Sequence, residues 1–301
     1  MMIGRGFAFL AGVVACAGSC RDTPRAKAEQ AQAISAARTQ QLARRIAMAE
    51  AGRTQGAPLA MWTLPAELRE ISGLALTGTG HVLAHGDEVS IISEIDPKTG
   101  IVLKRFALEG DPHGDFEGIA SAGTDIYLLQ SNGTLFKFTE GANGERVPYS
   151  KHDTRLGKEC EFEGVAFEPD SSRLLLACKR VLKKSQSDEL VIYRLPLPIT
   201  DSLRLSVLAI PMAEVIGSNR WKRFHPSDMA VDPTTGNYVL VSAQEKGLAV
   251  IAPDGQVVRS EPLPAGHRQA EGVAVTRDTI LIVSDEATQK PAAITLYRWR
   301  P

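Results

Sequence analysis

Five short phrases recur along this chain: "ISGLAL" begins at Ile71, "FEGIAS" at Phe116, "FEGVAF" at Phe162, "PSDMAV" at Pro226 and "AEGVAV" at Ala270. Successive starts lie 45, 46, 64 and 44 residues apart. Between them the chain is written in short apolar runs, such as "DIYLLQSNG", "RLLLACK" and "ILIVSDE", each closed by turn-forming or charged residues. A self-similar period of about 40–45 residues built from four such runs marks sheets arranged around an axis. The pattern predicts an all-β fold, a five-bladed β-propeller over residues 57–301, with one insertion around 209–224. A two-sheet sandwich also uses short strands, but it does not dictate a fixed repeat.

A ring of sheets has to close. The last repeat ends after "AITLYRW" (293–299), one strand short, while "AMWTLP" at 60–65 is a strand with no repeat of its own. The N-terminal strand is therefore expected to complete the last blade, removing sheet edges that would otherwise invite aggregation. That closure would make Trp62 and Trp299 neighbours in one blade.

The first 56 residues have a different texture. Residues 1–20, "MMIGRGFAFLAGVVACAGSC", place Arg5 before a nine-residue apolar run, Phe7 to Ala15. This is too short to span a bilayer and has the layout of an export signal. It ends in cysteine and resembles a bacterial lipoprotein signal, with Cys16 ("VVAC") or Cys20 ("AGSC") as the lipidated residue; an ordinary secretory signal is the alternative. Either reading puts the mature chain outside the cytoplasm. The lipid would anchor it to a membrane of the cell envelope, facing the periplasm or the exterior. Residues 21–56 are rich in Ala, Gln and Arg with few large apolar side chains, and are expected to form a partly helical tether. The net charge of −1 conceals a split. Residues 1–56 carry eight Lys/Arg against three Asp/Glu, leaving 26 against 32 for the remainder. An acidic body of this kind has no bulk affinity for nucleic acid.

Beyond the leader, the cysteines are Cys160 and Cys178, on either side of a hairpin turn near Pro169-Asp170. In an oxidising compartment a disulfide between the two strands is expected, with a pair of buried thiols as the alternative.

The acidic residues follow the repeat. Aligned on their shared Ala, the five phrases put Ser72, Glu117, Glu163, Ser227 and Glu271 in one ring at a channel mouth. Two positions earlier, on the same face of an extended chain, come Glu70, Asp115, Glu161, His225 and Gln269. The second strand of each blade returns to that mouth, bringing Asp87, Ser131, Lys179, Gln244 and Asp285, with His85, His113 and His267 nearby. The hairpin "KRVLKKSQSD" (179–188) would overhang the same face. Three glutamates about 5 Å apart repel by roughly 3 kcal/mol per pair at an effective dielectric near 20. They must take up protons, meet basic side chains or hold a cation. Oxygen donors of this kind suit Ca²⁺, with Glu117, Glu163 and Glu271 as anchors and Asp87 and Asp285 joining from the second strands. Structural carboxylates that accept backbone N–H groups are the alternative.

The repeats, the EG[IV]A phrases, "SEIDPKTGIVLKRFAL" and "HPSDMAVDPTTG" together resemble the SdiA-regulated family of bacterial propellers, distantly related to NHL and YWTD propellers, over residues 60–301. The resemblance implies a five-bladed propeller with a calcium site and an exported or membrane-anchored protein. It carries Glu117, Glu163 and Glu271 over as ligands, whereas Ser72 and Ser227 depart from the acidic pattern.

No G-x-S-x-G, H-E-x-x-H, P-loop or dinucleotide phrase occurs. The leading expectation is a calcium-binding module that offers its channel mouth to a protein or small-molecule ligand. The alternative is a metal-dependent hydrolase of a small ester, lactone or phosphoester, with His85, His113, His225 or His267 as general base.

Overall fold

A computed structural model describes residues 23–54, 56–200 and 204–300. Its sheets follow the repeat. Blade 1 is built from Ile71–Leu76, Val82–Gly86, Ile91–Asp96 and Ile101–Leu108; blade 2 from Phe116–Ala122, Asp125–Gln130, Thr134–Thr139 and Tyr149–Asp153. Blade 3 comprises Cys160–Glu168, Arg173–Val181, Glu189–Pro196 and Ser206–Pro211; blade 4 Asp228–Val231, Tyr238–Ser242, Gly247–Ile251 and Val257–Pro262. Blade 5 takes Ala270–Val275, Ile280–Asp285 and Ala293–Arg298, and its fourth strand is the N-terminal Ala60–Thr63. The five first strands pack side by side in a closed circle, each blade antiparallel from inside to outside.

The ring closes as the sequence predicts, but the tryptophans do not meet. Trp62 lies opposite Ile294, and Trp299 lies past the end of that strand pair. Each reaches a different neighbouring blade. Trp62 Nε1 donates to Pro97 O of blade 1 at 3.0 Å, and Trp299 Nε1 donates to Asp232 Oδ2 of blade 4 at 2.7 Å. Both targets belong to Asp-Pro-x-Thr-Gly turns whose Asp side chain accepts the amide two residues on. The closing blade is thus fastened on both sides by an indole on its neighbour's turn.

Among the described residues the apolar side chains fall into five clusters, one per seam between blades. Strand alternation explains this: each inner sheet presents one apolar face to each neighbour, so the core is divided among the seams. The extra length of the third repeat is spread over the loop before Ser206–Pro211, a one-turn helix at Met212–Ile216 and the segment that follows it. Arg146–Val147 pairs in parallel with the outer edge of blade 1 and covers it. Cys160 and Cys178 are joined in a disulfide with Cα atoms 5.6 Å apart.

Residues 24–50 depart from the tether expected. Pro24–Glu50 is a continuous helix capped by the Thr23 hydroxyl, which accepts from Ala26 N. Its second half docks on the seam between blades 5 and 1. Leu42 is 3% exposed there, with Ile46 and Ala49 beside it. Arg38 donates to Thr99 O at 2.5 Å and stacks over Trp62, while Glu50 pairs with Arg298 at 3.3 Å. Few apolar residues suffice because Leu42, Ile46 and Ala49 are spaced four and three apart on one helix face and meet a seam already apolar. Leu42 also borders a cavity of about 780 Å³ at the end of the channel away from the glutamates. Ala75, Ala120, Ala166, Ala230 and Ala274, the Ala shared by all five phrases, line that cavity. No described helix is long and apolar enough to cross a membrane.

Burying one leucine is worth about 1.5–3 kcal/mol. Leu42→Asp is therefore expected to release the helix with the sheets intact. Trypsin cleavage after Arg44 and Arg45 should run about ten- to a hundredfold faster at unchanged β-sheet circular dichroism.

Candidate functional site

The acidic ring is made by β-bulges. Pairing between the first and second strands slips at Ile71/Gly73, Phe116/Gly118, Phe162/Gly164 and Ala270/Gly272. The residue skipped each time is Ser72, Glu117, Glu163 or Glu271. An extra residue in one strand has no partner opposite, and the bulge turns its side chain out of the strand's alternation. Four blades repeat this device at one level of the channel.

Below the ring the inner strands come very close. A Cβ on Gly118 would lie 2.8 Å from Val165 N, one on Gly164 2.9 Å from Met229 N, and one on Gly73 3.1 Å from the Gly118 Cα. Glycine is needed at these positions for that reason. Blade 4 has Asp228 where the others have glycine. Its carboxylate crosses to blades 5 and 1, Oδ2 accepting from Val273 N at 2.8 Å and Leu74 N at 3.3 Å. Asp228 is 0% exposed, and its Oδ1 has no hydrogen-bond partner. Burial pushes this carboxyl well above the usual range, against the pull of the three backbone N–H groups of Val273, Met229 and Leu74. The sequence reading missed Asp228, although the signal was present: "PSDMAV" carries Asp where the other phrases carry Gly.

At the mouth of the channel a cavity of about 150 Å³ is lined by Glu70, Ile71, Ser72, Asp87, Glu117, Glu163, Lys179, Glu271 and Glu286. It has room for several waters, each filling about 30 Å³. The structure thus brings Glu117, Glu163, Glu271 and Asp87 together, as anticipated. Asp285 does not join them. Its carboxylate accepts from the amides of Arg268 and Gln269 and meets His267 Nδ1 at 2.6 Å. Blade 5 has the register of blade 1: Ile71 pairs with Gly86 and Asp87 follows it into the cavity, just as Ala270 pairs with Asp285 and Glu286 follows, so Asp285 is the counterpart of Gly86 and not of Asp87. Ser227 is likewise withdrawn from the cavity lining, with its hydroxyl donating to Ala270 O and accepting from Ala243 N.

Within the cavity, Ser72 Oγ donates to Glu117 Oε2 at 3.2 Å, Gln269 Nε2 donates to Glu271 Oε1 at 2.6 Å, and Lys179 Nζ pairs with Glu163. Burial and then the neighbouring Glu163 charge push Glu117 up to about 10 and Glu271 up to about 7. Burial also raises Glu163, with Lys179 holding it back. Asp87 is raised by burial and by Glu70, and Glu286 by burial and by Asp87. Without a bound cation the ring relieves its repulsion with protons and one lysine.

The donors are carboxylate and hydroxyl oxygens, the chemistry that hard divalent cations prefer. As the side chains stand, no group of three His, Cys, Asp or Glu among the described residues is drawn tightly enough to hold a metal ion. The donor type fits, whereas the spacing does not.

The four histidines considered as bases are placed elsewhere. His85 is fully buried, burial depressing its pKa to about 4, with Nδ1 donating to Gly86 O at 2.9 Å. His267 bridges Asp285 and Tyr297, His225 meets Glu245 at 3.0 Å, and His113 forms an isolated bridge with Val89. None of them lines the carboxylate cavity. The basic hairpin tip ends in a 3₁₀ turn, Lys184–Gln186, with Lys183 3.6 Å from Glu159.

Comparison of the sequence with protein-family models and with characterised proteins gives no match. Solved structures do match in fold. The glutaminyl cyclase of Myxococcus xanthus is 13% identical, covering 80% of this chain and 95% of its own, with a TM-score of 0.53. The PQQ-bound aldose sugar dehydrogenase of Streptomyces coelicolor is 15% identical, covering 80% and 99%, with a TM-score of 0.50. The chain is a β-propeller. At these identities the likeness concerns the fold and leaves the chemistry to the residues of this chain.

A carboxyl with a raised folded-state pKa keeps a proton that the unfolded chain has lost. Its contribution to stability is whole below the unfolded value and disappears as pH rises through the folded one. Chelator-treated protein is thus expected to lose stability from about pH 4.5 through about 7, where Glu271 titrates, and on towards about 10 for Glu117. Glu117→Gln should flatten the upper limb, raising Tm at alkaline pH by about 2–4 °C per kcal/mol of repulsion relieved. Thermal melts across this range, in chelator, are the check.

Proposed function

We propose that this chain is an exported, lipid-anchored propeller of the cell envelope. On this reading its acidic channel mouth holds Ca²⁺ and presents that face to a protein or small-molecule ligand without catalysing a reaction. The observation that carries the cation is the gathering of Glu117, Glu163 and Glu271 in one cavity, near Asp228, whose fully buried Oδ1 has no partner and whose carboxyl feels the Glu271 charge. Leaving such an atom unpaired is costly, and a cation beside it would remove that cost together with the repulsion in the ring. Asp228, Glu117, Glu163 and Glu271 would hold the ion, with Ser72 and Asp87 within the same cavity. Bound there, Ca²⁺ would supply positive charge and oxygen coordination that tie blades 2, 3, 4 and 5 together at the axis.

The likeness to the SdiA-regulated family, carried by the EG[IV]A phrases, supports the same ion. None of the four histidines lines the cavity, and His225 and His267 are paired with carboxylates, which supports binding over turnover, since a hydrolase would need a base at the cavity. Export and anchoring rest on the leader with Cys16 and Cys20, which lies outside the described residues. The disulfide between Cys160 and Cys178 supports an oxidising compartment.

Adding Ca²⁺ to chelator-treated protein at about 100 times its Kd should stabilise it by about 2.7 kcal/mol, which raises Tm by roughly 5–10 °C. Mg²⁺, which demands tighter octahedral geometry, should give a smaller shift. Asp228→Asn and Glu271→Gln should each abolish most of the Ca²⁺ response. A Tm indifferent to Ca²⁺ would sink the reading.

Anchoring has its own check. Labelled palmitate should enter the protein expressed in bacteria. Cys16→Ser, or failing that Cys20→Ser, should abolish the label and move the protein from the membrane to the soluble fraction. Label retained when both are replaced would rule out lipidation at the leader.

A further inference from the structure

We propose that the Lys179 ammonium is a tethered stand-in for the cation of the channel mouth, filling the carboxylate ring when no metal is bound and swinging out when a divalent ion enters. This rests on the cation reading above and adds to it the device that sets affinity.

The argument begins with register. In blade 3 the pairs run Glu161 with Arg180, Phe162 with Cys178 and Gly164 with Ala177. Glu163 is skipped on the first strand and Lys179 on the second. Both are extra residues freed from the ladder at the same level, and they meet as an ion pair in the cavity. In the other blades the slip occurs on the first strand only, at Ile71/Gly73, Phe116/Gly118 and Ala270/Gly272. The corresponding second-strand residues that reach the cavity in blades 1 and 5 are acidic, Asp87 and Glu286. Blade 3 thus carries the ammonium into a lining that otherwise holds six carboxyl groups: Glu70, Asp87, Glu117, Glu163, Glu271 and Glu286.

Two features make that ammonium displaceable. Its side chain is 37% exposed, so water can receive it. The backbone that bears it is held by the adjacent disulfide of Cys178 with Cys160, so release requires rotation of a flexible four-carbon stem and no movement of the strand. An ammonium offers one charge and three donors, whereas Ca²⁺ brings two charges and accepts six to eight oxygens. The lysine therefore serves the empty ring and loses to the ion. Lys179 also feels the charges of Glu117 and Glu271, so its ammonium stands among the three glutamates and not beside Glu163 alone. Metal-free protein competent to bind is the fraction with Lys179 out, and apparent affinity falls by that fraction.

Calcium titration of the chelator-treated full chain by calorimetry tests this, comparing wild type with Lys179→Met and Lys179→Arg. The Met variant keeps the stem without the charge and should bind Ca²⁺ at least tenfold more tightly. The Arg variant, which grips Glu163 with a bidentate fork, should bind several-fold more weakly. In the wild type, Ca²⁺ should raise acylation of Lys179 several-fold relative to Lys158, measured by mass spectrometry, a readout that needs no variant. Wild-type binding with an unchanged or weaker Kd in the Met variant, or Lys179 labelling indifferent to Ca²⁺, would overturn the stand-in and leave the cation site standing. If neither wild type nor the Met variant bound Ca²⁺, the cation reading and this one would fall together. Binding by the Met variant alone would establish the competition in its strongest form.

Discussion

The approach of the inner strands to the axis sets the terms for everything else in this molecule. Where a Cβ on Gly118 or Gly164 would touch the next blade's backbone amide within 3 Å, no side chain fits, and the ring of sheets can close only on glycine. Four of the five inner strands place that glycine one residue after a bulged position, and the bulge lifts Ser72, Glu117, Glu163 or Glu271 out of the ladder towards the channel. Packing of the scaffold and aim of the acidic groups are therefore one constraint expressed at two adjacent positions. Asp228 is the exception that uses the space. It sends a carboxylate across the axis to amides of two other blades and leaves one oxygen unpartnered.

Concentrating carboxyl groups in a small cavity is expensive, and the chain meets the cost in three ways visible in the structure. Burial and mutual repulsion hold protons on Glu117 and Glu271 at pH values where free glutamate has lost them. Hydrogen bonds from Ser72 and Gln269 satisfy single oxygens. Lys179 supplies one countercharge. Such a set is poised, because any cation able to coordinate several of these oxygens displaces weaker partners. A site built only to stabilise the fold would gain more from apolar side chains of similar volume.

The two ends of the channel are chemically opposed. One gathers carboxylates; the other opens into a cavity walled by an alanine from every blade and bordered by Leu42 of the N-terminal helix. That helix lies on the seam that Ala60–Thr63 closes, so it is fixed to the propeller at the point where the ring is joined.

The sequence by itself determined what depends on local pattern and period: the number of blades, their strands, the closing strand before Ile71, and the gathering of Glu117, Glu163, Glu271 and Asp87 at one mouth. These are legible because strand alternation and a fixed repeat length carry position from one blade to the next. Tertiary structure alone decided what depends on register and on neighbours distant in sequence. Pairing of Ala270 with Asp285 makes Glu286, and not Asp285, the residue of blade 5 that reaches the cavity. Trp62 and Trp299 part company because each follows a turn in a different adjacent blade. The helix docks because the apolar seam that receives Leu42 exists only once blades 5 and 1 are side by side. Asp228 belongs to both accounts: its departure from glycine is written in the sequence, but its unpartnered oxygen follows from the meeting of three blades at the axis.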